Sequence, residues 1–331
     1  MTGTGTTDDG QPRANSRLRG LVTNLFVWLG AVAILLLVLR GIDFSGIGKI
    51  VLSTRLLWLL PAAVITLISE FIFWTLRYRA ILRTTGNNLA FKEVLAIRMG
   101  TMPVRQALPF YAGDVVRVML LSRKHHIRAS HSILTHLLNA SSQVFGLALA
   151  AGIGMVITKN IAGAIVILVL AMICIATACL SRVLDRFAGR SRQSTDSLDL
   201  ISSIAAFSGR LTGEMPSIIM LSIICTACEL IASYLIMASF GLKFPGWDII
   251  FTLSAISLIG SIPLTPFGLG IREATVTVLA AGWMGPAGLA ISAIASTALL
   301  RVLPALAGTY WLIPNLKALA FPKRPRSDTT D

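Results

Sequence analysis

Six runs of apolar residues, near 21–39, 56–76, 130–157, 160–181, 216–240 and 287–313, decide what this chain can fold into. A helix needs about 20 such residues to cross about 30 Å of hydrocarbon. Within lipid the backbone must satisfy its own hydrogen bonds, which leaves only helices and closed barrels as spanning structures. Runs of this length are helices, so the expected fold class is all-α, a polytopic membrane bundle of six full spans. Charged residues make up 13% of the chain, against about 25% in a soluble domain, and an ordinary soluble fold is excluded.

Two further apolar stretches are interrupted in the same manner. One reads Gln106-Ala-Leu-Pro109-Phe-Tyr-Ala-Gly113-Asp114-Val-Val-Arg117, the other Ile262-Pro-Leu-Thr-Pro266-Phe-Gly268-Leu-Gly270-Ile-Arg272-Glu273. Irregular backbone at membrane depth is tolerated only where protein or a wet cavity encloses it. A helix restarting after such a break offers free N–H groups and a positive dipole end, to which an arginine adds a full charge and forked donors. The pattern predicts an anion site, with phosphate as its natural guest. Its residues are Pro109, Gly113, Asp114, Arg117, Pro266, Gly268, Gly270, Arg272 and Glu273, with Arg105 at the approach.

Asp114 and Arg117 are three residues apart and share a helix face. Arg272 and Glu273 point about 100° apart on a helix, so each needs its own partner. Arg117 and Arg272 are expected to face a common central cavity from opposite sides. The alternative is a structural salt-bridge network that locks the two stretches together. A charge at the bilayer centre costs at least about 2.5–3.5 kcal/mol, and apolar packing would lock them with less penalty, which favours binding.

Charge placement sets the topology. With the amino terminus inside, the outer connections hold only Arg40, Lys49, Arg55, Lys159 and Lys243 of the 29 Lys and Arg. The positive-inside rule then puts both termini in the cytoplasm. The first broken stretch, 91–122, must enter and leave from inside and the second, 247–283, from outside, as two re-entrant hairpins. Two spans, a hairpin and a span thus occur twice, in 21–157 and 160–313. Three crossings per half invert the second half relative to the first, a layout that places transporter sites near the midplane. Residues 1–20 and 316–331 read as cytoplasmic tails flanking one membrane domain, 21–315. Residues 44–52 read as an amphipathic turn at the outer interface, and 182–215 as the longest polar loop. No cleavable signal peptide is read.

Glu70 and Glu229 sit inside the second and fifth spans, where a lone carboxylate must be paired or protonated. Both are candidate proton-relay groups; Glu70 has the alternative of pairing with Arg77, Arg79 or a polar residue of a neighbouring helix. His131 and His136 open the third span, followed by Asn139, Ser141, Ser142 and Gln143. Their spacing does not suit a metal pair, and a polar stripe lining a cavity or joining helices is expected. Cys225 and Cys228 have C-x-x-C spacing but no nearby histidine, so neither metal nor cofactor is expected. No phosphate loop of the G-x-x-x-x-G-K-[ST] type is present to couple ATP. The net charge of +14 is spent on topology and membrane contact, not on nucleic acid.

Leu108, Pro109, Gly113, Asp114 and Arg117, together with Pro263, Thr265, Pro266, Gly268, Gly270, Arg272 and Glu273, resemble the two motifs of the flippase-like family, also known as the lysylphosphatidylglycerol synthase transmembrane region family. The similarity extends over about 20–315. Asp114 stands where glutamate is usual, and Phe267 where glycine is frequent. The soluble aminoacyl-transferring domain of some members is not recognised here, so the resemblance does not imply synthase activity. It implies a multi-pass protein of a bacterial inner membrane that moves an anionic lipid or an isoprenoid-linked phosphate, such as a polyprenyl phosphate, between leaflets. It also implies lipid- or glycan-synthesis enzymes as partners. The chain is therefore expected to be a lipid flippase and not an enzyme. Two rivals remain: an intramembrane transferase with Asp114, Glu229 or Glu273 as general base, and a non-transporting lipid-binding partner of a synthase.

Overall fold

A computed structural model describes residues 55–108, 112–159, 165, 167, 195–242, 246–261 and 270–320. Among these residues there are helices and short connections and no strand. Helix α1, Leu56–Ile68, passes through a π-helical turn, Ser69–Phe73, into α2, Trp74–Thr84. Next come α3, Phe91–Ala107, α4, Ala112–His125, and the long α5, Ala129–Ile157. The second part of the chain has α6, Thr195–Ser239, α7, Asp248–Gly260, and α8, Ile271–Leu279. It closes with α9, Pro286–Thr297, a second π-helical turn, Ala298–Val302, and α10, Leu303–Ala320.

Four helical stretches are long and apolar enough to cross a membrane: Leu57–Thr84, His131–Ile157, Gly213–Ser239 and Pro286–Asn315. They coincide with the runs expected at 56–76, 130–157, 216–240 and 287–313. The run at 21–39, the amino-terminal tail and the turn at 44–52 lie outside the described residues, as do 160–181 apart from residues 165 and 167, and 321–331. The expected tail at 316–331 needs correction at its start, because 316–320 continue helix α10. The expected polar loop 182–215 needs correction, because helix begins at Thr195 and continues unbroken into the apolar part of α6. Ser, Asp and Gly dilute the apolar signal there without stopping the helix, and the only proline, Pro216, does not end it.

The packing is reciprocal. Helices α3 and α4 lie against one another, as do α7 and α8. From the first pair, α3 packs along α10; from the second pair, α7 packs along α5; and α1 and α2 pack on α6. Close approach requires small residues at both outer crossings. A methyl on Gly308 would overlap the carbonyl of Met99, which Pro103 cannot pair, and one on Gly100 would overlap Asn315 and the Trp311 backbone. At the other crossing a methyl on Gly154 would come within 2.7 Å of Phe251 N. Asn315 Nδ2 donates to Ala96 O at 2.8 Å, joining α10 to α3 by a polar contact as well.

Candidate functional site: a buried ionic centre

The break between α3 and α4 positions the first arginine. Gly113 lies so close to the Arg105 backbone that a methyl there would overlap it, so the glycine lets α4 start directly against the end of α3. Asp114, the next residue, and Arg117, about one turn on, form the expected pair, Nη1 to Oδ1, at 3.3 Å, with both side chains buried. Asp114 also faces Arg105 Nε at 3.7 Å and His136 Nδ1 of α5 at 3.6 Å. Arg117 Nε donates to Thr101 Oγ1 at 3.1 Å, and its guanidinium lies 5.3 Å from the Tyr78 ring centre.

The second break is built differently. Gly270 has φ 83°, a left-handed conformation that favours glycine, and it caps α8. Glu273 reaches back to accept the Gly270 N–H at 2.6 Å, and its other oxygen accepts the Thr297 hydroxyl of α9 at 3.0 Å. Both oxygens of this carboxylate are occupied. Arg272, one residue earlier, is buried with its stem against Gly260 at the end of α7. It lies within electrostatic reach of Glu229, Glu273 and Arg301. Pro109, Pro266 and Gly268 lie outside the described residues.

Between these two centres is a cavity of about 30 Å³. Glu70, Arg98, Arg105, Glu229 and Arg301 supply its charged wall, Gln143 and Cys228 add polar groups, and Trp74, Met102 and Leu300 add apolar ones. Of the residues expected to bind, Arg105 lines it, as do the two proton-relay candidates Glu70 and Glu229. Arg117 and Arg272 do not; each stands one layer back, Arg117 through Asp114 and Arg105, Arg272 beside Glu229 and Arg301.

Each buried carboxylate of the long helices is ion-paired. Glu70 lies in the π-helical turn after α1 and pairs with Arg98 of α3, not with Arg77 or Arg79. The π turn shifts the backbone register, and Arg98 takes the Glu70 main-chain carbonyl as well as the side chain. Arg77 instead donates to Asn139 Oδ1 at 3.2 Å and stacks 4.0 Å from the Trp74 ring centre, while Arg79 Nε donates to Leu89 O at 3.0 Å. Glu229 of α6 faces Arg301 at 3.8 Å, and Arg301 lies in the second π turn. Arg98 and Arg301 were not singled out by sequence reasoning, though a signal was present for Arg301, the one charged residue of the apolar run 287–313.

Several guanidinium nitrogens have no hydrogen-bond acceptor among the described residues: Nε and Nη1 of Arg77, Nη2 of Arg117, Nε and Nη1 of Arg272, and Nη2 of Arg301, which faces Glu229 only at ion-pair distance. A buried donor without an acceptor costs about 1–3 kcal/mol, and more when charged. Buried groups of this kind are characteristically met by an ordered water or an ion.

The fold and centre define a multi-pass helical membrane protein with a polar chamber enclosed between its two parts. The chain belongs to the lysylphosphatidylglycerol synthase TM region family, which it matches over residues 21–308. That family links it to lipid metabolism or transport. No curated protein matches the chain.

Proposed function

We propose that this protein binds the phosphate headgroup of an anionic lipid in the chamber and moves it, chemically unchanged, between the leaflets of a bacterial inner membrane. The observation that carries this reading is a polar chamber walled by Arg98, Arg105 and Arg301, with buried guanidinium donors of Arg117 and Arg272 one layer behind that have no hydrogen-bond acceptor among the described residues. Phosphate oxygens suit arginine forks, and the lipid tails stay in hydrocarbon. A volume of about 30 Å³ accommodates about two waters, so loading requires the walls to part. The ion pairs Glu70–Arg98 and Glu229–Arg301 are the contacts a headgroup would open. Glu70 and Glu229 serve as proton relays in this reading only when released from those arginines.

The reciprocal packing of α3 on α10 and of α7 on α5 supports two inverted halves with α3–α4 and α7–α8 as re-entrant hairpins, both termini being cytoplasmic. Alternation then comes from rocking of the halves about the chamber. An intramembrane transferase is disfavoured because Glu273, a candidate general base, has both oxygens engaged. Lipid- or glycan-synthesis enzymes are the natural suppliers of the cargo.

The test is sided transfer in liposomes holding the purified protein, with fluorescent anionic phospholipid and polyprenyl phosphate. Appearance of the lipid in the opposite leaflet at unchanged mass is expected. A change of mass, or no transfer of either lipid, refutes the reading.

A further inference from the structure

We infer that the chamber selects a phosphomonoester, the dianionic terminal phosphate of a lipid or of a small soluble molecule, over the single charge of a phosphodiester headgroup; this rests on the headgroup-binding reading above. Charge balance carries the inference. The buried and chamber-lining groups among the described residues include the guanidiniums of Arg77, Arg98, Arg105, Arg117, Arg272 and Arg301 and the carboxylates of Glu70, Asp114, Glu229 and Glu273. Arginine does not deprotonate in proteins. The centre therefore holds two more positive charges than its own carboxylates neutralise. The remaining apolar segments do not redress this, because 21–39, 109–111, 160–181 and 262–269 contain no Asp or Glu.

Two uncompensated charges in a low-dielectric interior are costly, and a ligand of matching charge removes the cost. A phosphomonoester carries about −1.5 to −2 at pH 7, its second proton leaving near pH 6. A diester carries one negative charge at every relevant pH, leaving the centre half neutralised. Size points the same way. A chamber of about 30 Å³ walled by Trp74, Met102 and Leu300 admits a bare terminal phosphate with far less displacement than a phosphate carrying glycerol, a sugar or an amino acid. Donor placement agrees, since Arg98, Arg105 and Arg301 line the chamber, and Arg117 and Arg272 behind it keep nitrogens without a hydrogen-bond acceptor among the described residues.

The experiment is equilibrium binding to the full-length protein in detergent micelles, comparing short-chain phosphatidate with short-chain phosphatidylglycerol at pH 7.5 and at pH 5. Phosphatidate is expected to bind about tenfold more tightly at pH 7.5, the ratio collapsing toward unity at pH 5 as the monoester takes up its second proton. Glu70, Asp114, Glu229 and the His136 facing Asp114 belong to the same protein in both measurements, so the change in the ratio reports the ligand. Displacement of phosphatidate by inorganic phosphate or glycerol 3-phosphate would assign recognition to the phosphate group itself and admit a soluble source. Absence of displacement would assign it to the lipid form; both results support monoester selection.

Arg105→Gln removes one surplus charge and should shrink the ratio severalfold; should that variant fail to fold, the wild-type ratio still decides. Equal or tighter binding of phosphatidylglycerol at pH 7.5 overturns the inference. The two readings fail separately. Efficient leaflet transfer of a diester with no monoester preference overturns selection and leaves translocation standing, whereas selective phosphatidate binding without transfer does the reverse.

Discussion

Arg98 holds Glu70 twice, by its side-chain carboxylate and by the main-chain carbonyl within the π-helical turn Ser69–Phe73. The second π turn, Ala298–Val302, carries Arg301, which faces Glu229 across the same chamber. Each pair therefore joins one residue on a π turn to one on a regular helix. Insertions of this kind are frequent at functional sites because they re-aim a side chain without ending the helix.

Breaking the first pair should be severe. Arg98→Ala leaves a buried carboxylate without its cation, for which about 3–5 kcal/mol of destabilisation is expected. Combining Arg98→Met with Glu70→Gln should recover most of it. Thermal unfolding of the two variants in detergent checks the difference, and equal losses would contradict the pairing.

Arg272 tests function more than folding. Its Nε and Nη1 have no acceptor among the described residues, so Arg272→Ala should abolish lipid transfer while leaving expression intact. Arg272→Lys keeps the charge but loses the fork, and should weaken headgroup binding by about 1–3 kcal/mol. Arg117→Ala should also abolish transfer, with some loss of stability because, among the described residues, Asp114 then keeps Arg105 and His136. Normal transfer by both alanine variants would show that the anion binds elsewhere.

The crossing of α3 and α10 tolerates nothing larger than hydrogen at Gly308 and Gly100. Gly308→Val should cost about 1–3 kcal/mol through overpacking. Exposed Leu306→Val, two residues away, should cost far less. A chemical-denaturation series on the pair checks this.

Cys228 lines the chamber beside Glu229. In a variant with the other three cysteines changed to serine, a small thiol reagent should label Cys228, and bound anionic lipid should slow labelling by about tenfold. Labelling that is indifferent to lipid would place the lipid outside the chamber.

Four of the six expected spans were legible, because crossing a bilayer demands an apolar run that composition alone exposes. The Asp114–Arg117 pair was legible because three residues on a helix share a face. The partners of Glu70 and Glu229 were not, since each arginine comes from another helix and the π turns that aim Glu70 and Arg301 leave no residue signature. Arg117 and Arg272 were read as facing the cavity from their place in the broken motifs. Helix geometry instead sets them behind Arg105 and Arg301, a distinction that depends on how α4 and α8 pack and not on spacing. The start of α6 at Thr195 was missed because polar residues on a helix that leaves the membrane resemble a loop.

The most direct measurement is an electron cryomicroscopy map of the protein in nanodiscs containing an anionic phospholipid. Headgroup density within hydrogen-bond distance of Arg98 or Arg301, with one of the pairs Glu70–Arg98 and Glu229–Arg301 opened, is the predicted result. A map with lipid only around the periphery, both pairs closed and the chamber holding water alone would contradict the account.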